Sequence, residues 1–357
     1  MTRRKWLGLG VALLPLAVAA GLYLLLPTAP QFTETAMTGG IFRVLSVAIG
    51  WPLQWLPFSL TECLVVLGIP TAVVWLIVAI VRCCRRRASV YRLVRFLCWV
   101  IAIGLLLYML LHGVNFYRRP AAELMGLTVT PHSADALAAL CVKMATEGNR
   151  LRETLPENPD GTAAVTVDLS AAGEGYRRLD DTYPFLWGAT NRVKPVLLSH
   201  WWSYTGISGM YFPLLAEANV NVDQPAWCVP FTACHELAHT RGFAREDECN
   251  FFGYLAAIHH PDAAYRYSGY YMGYIYCSNA LYALDADKAA TISALVGDGM
   301  RRDLIAQNEY WQQFEGPVQE VSDAVNDGFI TSQGVADGVY SYGRCVDLLL
   351  AWEDAAR

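Results

Sequence analysis

The first third of the sequence has almost no acidic residues, and three long apolar runs within it have no charged residue at all. These runs cover residues 6–26, 63–81 and 96–114. Each is close to the roughly 20 apolar residues that a helix needs to cross a bilayer. The pattern excludes an ordinary soluble enzyme and predicts a membrane domain over residues 1–119 with three transmembrane helices, followed by a second domain over residues 120–357. The first run is too long for a typical cleaved signal peptide, so we expect it to remain as an anchor.

Basic residues indicate which ends of these helices face the cytoplasm. The loop between the second and third runs has no acidic residue and many arginines, and three basic residues precede the first run. Because positively charged loops stay in the cytoplasm, the N-terminus is predicted to be cytoplasmic. The segment 27–61 and the second domain would then be extracytoplasmic, in a multi-pass protein of the cell membrane that contacts the lipid bilayer through three helices. The basic residues are Arg3, Arg4, Lys5, Arg82, Arg85, Arg86, Arg87, Arg92 and Arg95.

The second domain lacks an excess of basic residues and lacks any Cys-x-x-Cys pair. It holds 15 basic and 30 acidic residues, and this negative charge argues against a nucleic-acid partner. Without a Cys-x-x-Cys pair, a cysteine-based zinc site is not expected. Six dispersed cysteines leave disulfides and buried free thiols as open alternatives. They are Cys141, Cys228, Cys234, Cys249, Cys277 and Cys345.

Repeats and low-complexity stretches are also absent, and helical periodicity dominates the second domain. The domain is therefore predicted to be mainly α. The segment 206–222 is the chief exception, because its glycines, aromatics and β-branched tail indicate an irregular or edge strand. Pro213 in the middle of that segment excludes a central position in a sheet. The predicted helices cover residues 134–154, 171–181, 229–241, 246–259, 262–284, 289–314 and 334–353.

A zinc-hydrolase motif is formed by His235-Glu236-Leu237-Ala238-His239. On a helix the two histidines lie one turn apart on the same face, where both can bind one ion. The glutamate beside them is then the general base towards a zinc-activated water. The alternative is an exposed helix with ordinary polar residues, but the apolar neighbours of the motif favour burial. We therefore predict Zn²⁺ as the cofactor, with His235 and His239 as ligands and Glu236 as the catalytic base.

A catalytic zinc site needs a third protein ligand, which must come from outside this helix. Gly242 suits a left-handed turn that ends the helix, after which the chain reverses. Three acidic residues, at positions 246 to 248, begin the next helical pattern. Glu246 and Glu248 are both able to face the histidines, and the spacing alone leaves the choice between them open.

The two helices together resemble the gluzincin group of zinc metallopeptidases, whose second helix carries the third ligand in a Glu-x-x-Ala-[Asn/Asp] pattern. Glu246 matches the first position of that pattern, and Cys249 replaces the alanine. The resemblance implies a zincin-like fold, with Glu246 as the third zinc ligand. The His-x-x-Gly spacing is also similar to that of metzincins, but Arg245 stands where their third histidine would be. That difference excludes the metzincin ligand set.

A second resemblance covers most of the chain. It combines the three apolar runs, the segment 115–118, residues 216–221, the zinc motif and a closing segment 338–343. Together these features are similar to a bacterial family of three-span membrane proteins that is described only as a domain of unknown function. This resemblance supports the architecture and the motif, and it implies no substrate.

The sequence as a whole predicts a membrane-anchored zinc metallopeptidase that cleaves peptide or amide bonds outside the membrane. Its substrates would be peptides, proteins or the peptide part of cell-wall material. The alternative is a non-catalytic zinc-binding receptor or scaffold, which would have no need of Glu236. Tyr211, Tyr271 and Tyr342 are candidate oxyanion donors by residue type, although packing is the simpler role for each. The remaining histidines, including His112, are not expected to bind the metal.

Overall fold

The computed structural model describes residues 2–335, 338 and 344–355, most of which are helical. The helices before residue 120 are α1 (Arg3–Ala12), α2 (Leu14–Leu25), α3 (Pro30–Leu53), α4 (Leu60–Cys84) and α5 (Val90–Leu111). Those after it are α6 (Ala121–Met125), α7 (Ala134–Arg152), α8 (Glu174–Arg177), α9 (Ser199–Ser203), α10 (Val229–Thr240), α11 (Glu246–Ile258), α12 (Ala263–Leu284), α13 (Ala286–Ser293), α14 (Asp298–Gln312), α15 (Pro317–Ser332) and α16 (Cys345–Ala355). The strands are β1 (Lys194–Val196), β2 (Gly209–Phe212) and β3 (Glu217–Asn221).

Within the described residues, three helices are long and apolar enough to cross a membrane. They are α3, α4 and α5, with mean hydropathies of 1.3, 2.8 and 2.3. Helices α4 and α5 correspond to the predicted runs 63–81 and 96–114, which confirms both runs as candidate membrane helices. The run 6–26 is also helical, but the chain bends by 41° between α1 and α2. Pro15 at the start of α2 explains the bend, because proline has no N–H group to continue the helical hydrogen bonds.

Helix α3 was not predicted, because the sequence indicated only an extracytoplasmic connection in this segment. Although α3 is apolar enough to cross a membrane, polar contacts attach it to later parts of the chain. Near its start, Glu34 forms an ion pair with Arg118 at 2.7 Å. Just beyond its end, the Gln54 side-chain amide donates to the carbonyl of Ala189 at 3.1 Å. Helix α3 is therefore fastened at both ends to residues that follow the last membrane helix.

The basic ends of the membrane helices lie together. Lys5 Nζ lies 5.5 Å from the centre of the Tyr91 ring, so the start of α1 is beside the start of α5. At the opposite end, the ring centres of Tyr23 and Tyr117 are 6.2 Å apart, close to where the second domain begins. The N-terminus and the arginine-rich loop therefore share one side, and the second domain begins at the other. Which of these sides is cytoplasmic remains a prediction.

The core of the second domain is built around α10, α11 and α12, with α7 packed along α12. Small and aromatic side chains such as Ala233, Phe252 and Tyr267 fill it, and the removal of this surface from water stabilises the domain. The six cysteines of this domain are buried free thiols. Of the two alternatives that the sequence left open, the structure therefore contains the free thiols.

The segment 206–222 forms two strands, whereas the sequence indicated one. Strand β2 pairs with β3 in antiparallel fashion, and β1 pairs with β3 in parallel, so the order of the sheet is β1-β3-β2. Pro213 lies in the turn between β2 and β3, where its missing N–H group costs no bond of the sheet. Strand β2 is therefore an edge strand, as predicted. Strand β3 is central and fully buried, which was not predicted.

Several helices differ from their predictions. The prediction of one helix over 289–314 was wrong, because the chain is interrupted at Gly297 between α13 and α14. Only α8 forms within 171–181, where Gly173 and Gly175 disfavour a longer helix. Helix α15 was not predicted, although Pro317 is a favourable first residue. Helix α16 begins at Cys345 rather than at residue 334, and residues 339–343 lie outside the described part of the chain.

Candidate metal centre

The zinc motif lies on α10, a helix that is buried on every side. Each of its residues is buried, including His235, Glu236 and His239. A helix of this kind belongs to the interior of a domain, so the alternative of an exposed polar surface does not apply. The two imidazole rings lie on the same face, with their centres 5.1 Å apart.

Helix α10 ends in the left-handed turn that the sequence predicted at Gly242. The φ angle of Gly242 is 85°, which glycine adopts without strain. Its N–H group donates to the carbonyl of His239 at 3.0 Å, and the N–H group of Phe243 donates to the carbonyl of Ala238 at 3.3 Å. The chain then reverses, and the two helices pack against each other. This geometry directs the first turn of α11 towards the histidines.

Three side chains converge between α10 and the first turn of α11. Glu246 Oε2 lies 3.1 Å from His235 Nε2, and Glu246 Oε1 lies 3.8 Å from His239 Nε2. One ligand atom from each residue lies within 4.8 Å of the other two. Two imidazole nitrogens and one carboxylate oxygen are a ligand set typical of catalytic zinc. The structure therefore brings together the three residues that were predicted as ligands.

The second nitrogen of each histidine ring lies next to an oxygen. His235 Nδ1 is 2.8 Å from Asn250 Oδ1, and His239 Nδ1 is 2.9 Å from the carbonyl oxygen of Phe243. A carbonyl only accepts hydrogen bonds, so His239 carries a proton on Nδ1, and in its neutral form it presents the lone pair of Nε2 to Glu246. A lone pair that faces a carboxylate in a largely buried site favours a cation between the two groups. The donor set thus fits a zinc ion.

Glu248, the other candidate for the third ligand, has different partners. Its Oε1 accepts a hydrogen bond from the backbone N–H of Ala121 at 2.7 Å. Arg245 lies 3.5 Å from the same oxygen. Glu248 therefore fastens the start of α6 to α11, and its carboxylate is not part of the His-His-Glu cluster.

Glu236 lies next to the ligand cluster without belonging to it. Its carboxylate is buried, and its Oε2 has no hydrogen-bond partner among the described residues. Burial raises the pKa of Glu236 to about 8, whereas His235 and the backbone N–H of Tyr211 favour the charged form. A buried polar oxygen without a partner is costly. The position is therefore suited to a polar group that enters the site from outside the chain.

Strand β2 approaches Glu236 closely because residue 209 is a glycine. A Cβ atom at this position would lie 2.5 Å from Glu236 Oε1 and 2.8 Å from Thr232 Cγ2. Both neighbours are buried, so there is little room for either to move. Gly209 therefore fixes the distance between the edge strand and the carboxylate. The sequence analysis assigned no role to this residue.

His112 was not expected at the site, because it follows a membrane helix that is far away in the sequence. Its ring lies 5.9 Å from that of His239 and 5.8 Å from that of Tyr211, and Tyr211 stacks on His239 at 5.9 Å. Phe329 of α15 stacks on the His112 ring at 6.5 Å. The end of α5, strand β2 and helix α15 therefore meet beside the ligand cluster. No motif in the sequence signals this meeting.

Arg118 connects the turn after α10 to the membrane helices. Its guanidinium donates to the carbonyl of Gly242 at 2.8 Å and to Glu34 of α3 at 2.7 Å, and it lies 4.0 Å from the centre of the Phe243 ring. A buried arginine requires such partners to offset the loss of water. The turn between the two ligand-bearing helices, α10 and α11, is therefore attached both to α3 and to the segment that follows α5.

The other residues that the sequence analysis considered have separate positions. The Tyr271 hydroxyl donates to the side chain of Gln307 at 2.5 Å. Tyr342 lies outside the described residues. Glu217, in the segment 216–221, accepts a hydrogen bond from the backbone N–H of Thr61 at 2.8 Å, so it caps the start of α4. Of the two tyrosine candidates within the described residues, Tyr211 contacts the cluster through its ring.

These features define a mostly helical protein with candidate membrane helices near its N-terminus and, in the domain that follows, a His-His-Glu cluster with two buried histidines. The chain belongs to the family described as protein of unknown function (DUF3810), whose profile matches residues 38–350. The resemblance to a family of unknown function is thereby confirmed. No curated protein and no solved structure gives a match. The family description assigns no reaction, so a functional argument rests on the site itself.

Proposed function

We propose that the chain is a zinc-dependent hydrolase, and more specifically a metallopeptidase that cleaves peptide or amide bonds outside the membrane. The observation that carries this proposal is the convergence of His235, His239 and Glu246 beside Glu236, whose Oε2 has no hydrogen-bond partner among the described residues. A purely structural zinc site would not need this additional glutamate. Its presence favours a hydrolase over a non-catalytic zinc-binding receptor or scaffold. The zincin-like fold implied by the sequence is part of the same proposal.

The ligand side chains are oriented for metal binding by their own partners. Asn250 and the carbonyl of Phe243 hold the two histidine rings through Nδ1, which turns both Nε2 atoms towards Glu246. A zinc ion held there would supply Lewis acidity towards a substrate carbonyl and a water molecule. The fixed rings keep this geometry without a rearrangement of the chain.

Glu236 performs the proton transfers of the proposed reaction, in the charged form that a cation held by the neighbouring ligands would favour. It accepts a proton from the attacking water while the water oxygen forms a bond to the carbonyl carbon. It then passes this proton to the leaving nitrogen as the C–N bond breaks, which yields a carboxylic acid and an amine. The backbone N–H of Tyr211 holds the carboxylate in place for both steps.

Strand β2 supports a peptide as the substrate class. It is an edge strand, and Gly209 brings its backbone next to Glu236. An extended peptide is able to pair with such an edge through backbone hydrogen bonds, which would align its own peptide bonds with the site. We therefore propose peptides, proteins or the peptide part of cell-wall material as substrates.

Two measurements test this proposal: the zinc content of the protein, and its hydrolytic activity after zinc is removed and then restored. We expect the full chain, purified in lipid nanodiscs, to contain about one zinc ion per molecule. A chelator should abolish hydrolysis of a quenched-fluorescence library of short peptides, and added zinc should restore it. Elemental analysis and initial rates would be measured on the same samples. A folded protein without zinc would contradict the metal site, whereas a zinc-loaded protein that cleaves no peptide would favour the receptor or scaffold.

The substitution Gly209→Ala tests the position of the base separately from the metal. The new Cβ atom would displace the Glu236 carboxylate, so we expect peptide hydrolysis to fall by about 10- to 100-fold, as is usual for a small misplacement of a reacting group. Zinc content should not change, because the ligands come from other elements. Gly328→Ala is the matched control, since a Cβ atom there meets no neighbour. Loss of zinc in the Gly209 variant would show that the substitution disturbs the ligands instead.

A further inference from the structure

Two groups of exposed apolar side chains lie outside the membrane helices. The first follows β1 and comprises Leu197, Leu198 and Trp201, and Leu197 is 83% exposed. The second lies on α15 and comprises Val318, Val321 and Val325, and Val325 is 68% exposed. We call these six residues the apolar belt. Large exposed apolar patches are unusual on soluble domains and mark contacts with other proteins or with membranes.

Helix α15 has two faces of opposite character. Its exposed valines recur at spacings of three and four residues, which places them on one face, and Phe329 continues the series. Its three acidic residues, Glu320, Asp323 and Asp327, lie on the opposite face at the same periodicity. A helix with one apolar and one charged face is suited to lie in the plane of a membrane surface.

One end of the belt is fastened to the start of a membrane helix. The backbone N–H groups of Leu197 and Leu198 donate to the carboxylate of Glu62 at 3.0 and 2.8 Å. Glu62 lies in the first turn of α4, the most apolar of the candidate membrane helices. This end of the belt therefore lies at the depth where α4 begins.

The other end of the belt is fastened to the ends of two further helices that run from the basic side. The ring of Phe329, on the last turns of α15, lies 6.3 Å from that of Tyr108 near the end of α5. The Tyr23 hydroxyl, near the end of α2, donates to the carbonyl of Ser332 at 3.0 Å. This end of the belt therefore lies at the depth where α2 and α5 finish.

Aromatic contacts join the two groups into one surface. The ring of Tyr204 lies 6.0 Å from that of Trp201 and 4.9 Å from that of Phe314, shortly before α15. Gln319 on the first turn of α15 packs beside Gly206. These contacts place the two groups of the belt next to each other, between the start of α4 and the end of α5.

We propose that the apolar belt rests in the lipid interface of the membrane that α4 and α5 cross, with α15 lying in the plane of that interface. Both ends of the belt are tied to helix ends at the same side of the bilayer, so the surface between them lies at the level of the lipid headgroups. The acidic face of α15 then points to water. Attachment depends on apolar insertion, with Trp201 in the position that aromatic residues favour at membrane surfaces. It does not depend on attraction to anionic lipid.

This surface goes beyond the proposed hydrolase and does not depend on it. It has a geometric consequence for the candidate site, because Phe329 contacts His112, which lies beside His239. The ligand cluster would then lie close to the membrane surface. Substrates that are themselves anchored in or adsorbed to the membrane would reach it most readily.

Depth-dependent quenching in nanodiscs tests the proposal with the full chain. An environment-sensitive fluorescent amino acid would replace Val321 or Val325 on the apolar face, and Asp323 on the opposite face as the matched control. Lipids that carry a nitroxide near the headgroup should quench the probes at 321 and 325 at least about twofold more than the probe at 323, with emission at shorter wavelength. The readout involves neither zinc nor hydrolysis, so it is independent of the hydrolase proposal.

Equal quenching at positions 321 and 323 would overturn the proposal. Probes at 321 and 325 that are shielded from water but not quenched by the labelled lipids would also overturn it, because a second copy or another protein would then cover the belt. Trp201→Phe provides a second variant at the other end. The part of the tryptophan emission that this substitution removes should be quenched by lipids brominated near the headgroup, and an unquenched Trp201 would contradict the proposal.

Discussion

Replacement of Glu236 by glutamine should abolish peptide hydrolysis and leave zinc bound. The amide has nearly the same shape as the carboxylate but does not accept a proton from water, so the rate should fall by about 10²- to 10⁴-fold. The residues His235, His239 and Glu246 are unchanged, and the zinc content should remain that of the wild type. The fold should be retained, because glutamine is neutral and removes a carboxylate from a buried position. Initial rates and elemental analysis on the full chain measure both effects.

Glu123→Gln is the control for this variant. Glu123 is exposed on α6, and among the described residues its side chain pairs only with Arg119, so its replacement should change neither hydrolysis nor zinc content. Hydrolysis at the wild-type rate by the Glu236 variant would overturn the proposed mechanism. Loss of zinc in that variant would instead make Glu236 a ligand, which the distances within the cluster do not suggest.

The parts of this molecule that the sequence predicted depend on local patterns. Long runs without charge are sufficient to indicate membrane helices, because the cost of burying charge in lipid is large. The pairing of α10 with α11 was also predictable, since Gly242 marks a left-handed turn a fixed distance after the second histidine. In each case the residues that form the pattern are close in sequence to the element that the pattern predicts.

The surroundings of the ligand cluster were not predictable in the same way. His112, Tyr211 and Phe329 come from three segments that are distant in sequence, and only tertiary packing brings their rings together. Helix α15 has a regular apolar spacing, but it begins with a proline directly after a glycine, and its apolar face is exposed rather than part of the core. A pattern that does not lead to burial gives little indication of where the helix lies.

Sequence spacing alone did not identify the third ligand. Glu246 and Glu248 are two residues apart, so on a helix they point in nearly opposite directions. Which of them faces the histidines depends on how the chain leaves the turn at Gly242, and that turn is held by Arg118 from outside the motif. The resemblance to gluzincins favoured Glu246, and the structure places Glu246 beside both histidines.

Glu246→Ala should therefore lose zinc, whereas Glu248→Ala should keep zinc and lose stability. Removal of a ligand should weaken zinc affinity by more than about 100-fold, because even substitutions of residues that only orient the ligands cost about 10- to 100-fold. Removal of Glu248 leaves the backbone N–H of Ala121 buried without its acceptor, at a cost of about 1–3 kcal/mol in the free energy of unfolding. The two variants delete the same side chain from positions on the same helical turn, so each is the control for the other.

Competition with a chelating dye would measure the zinc affinity of the full chain, and chemical denaturation would measure its stability. If Glu248→Ala lost zinc while Glu246→Ala retained it, the ligand assignment would be reversed. If both variants kept wild-type affinity, neither carboxylate would be a ligand, and the cluster would then hold only the two histidines as metal donors. A two-histidine site is too poor in ligands for catalytic zinc, so that result would also remove the main support for the hydrolase.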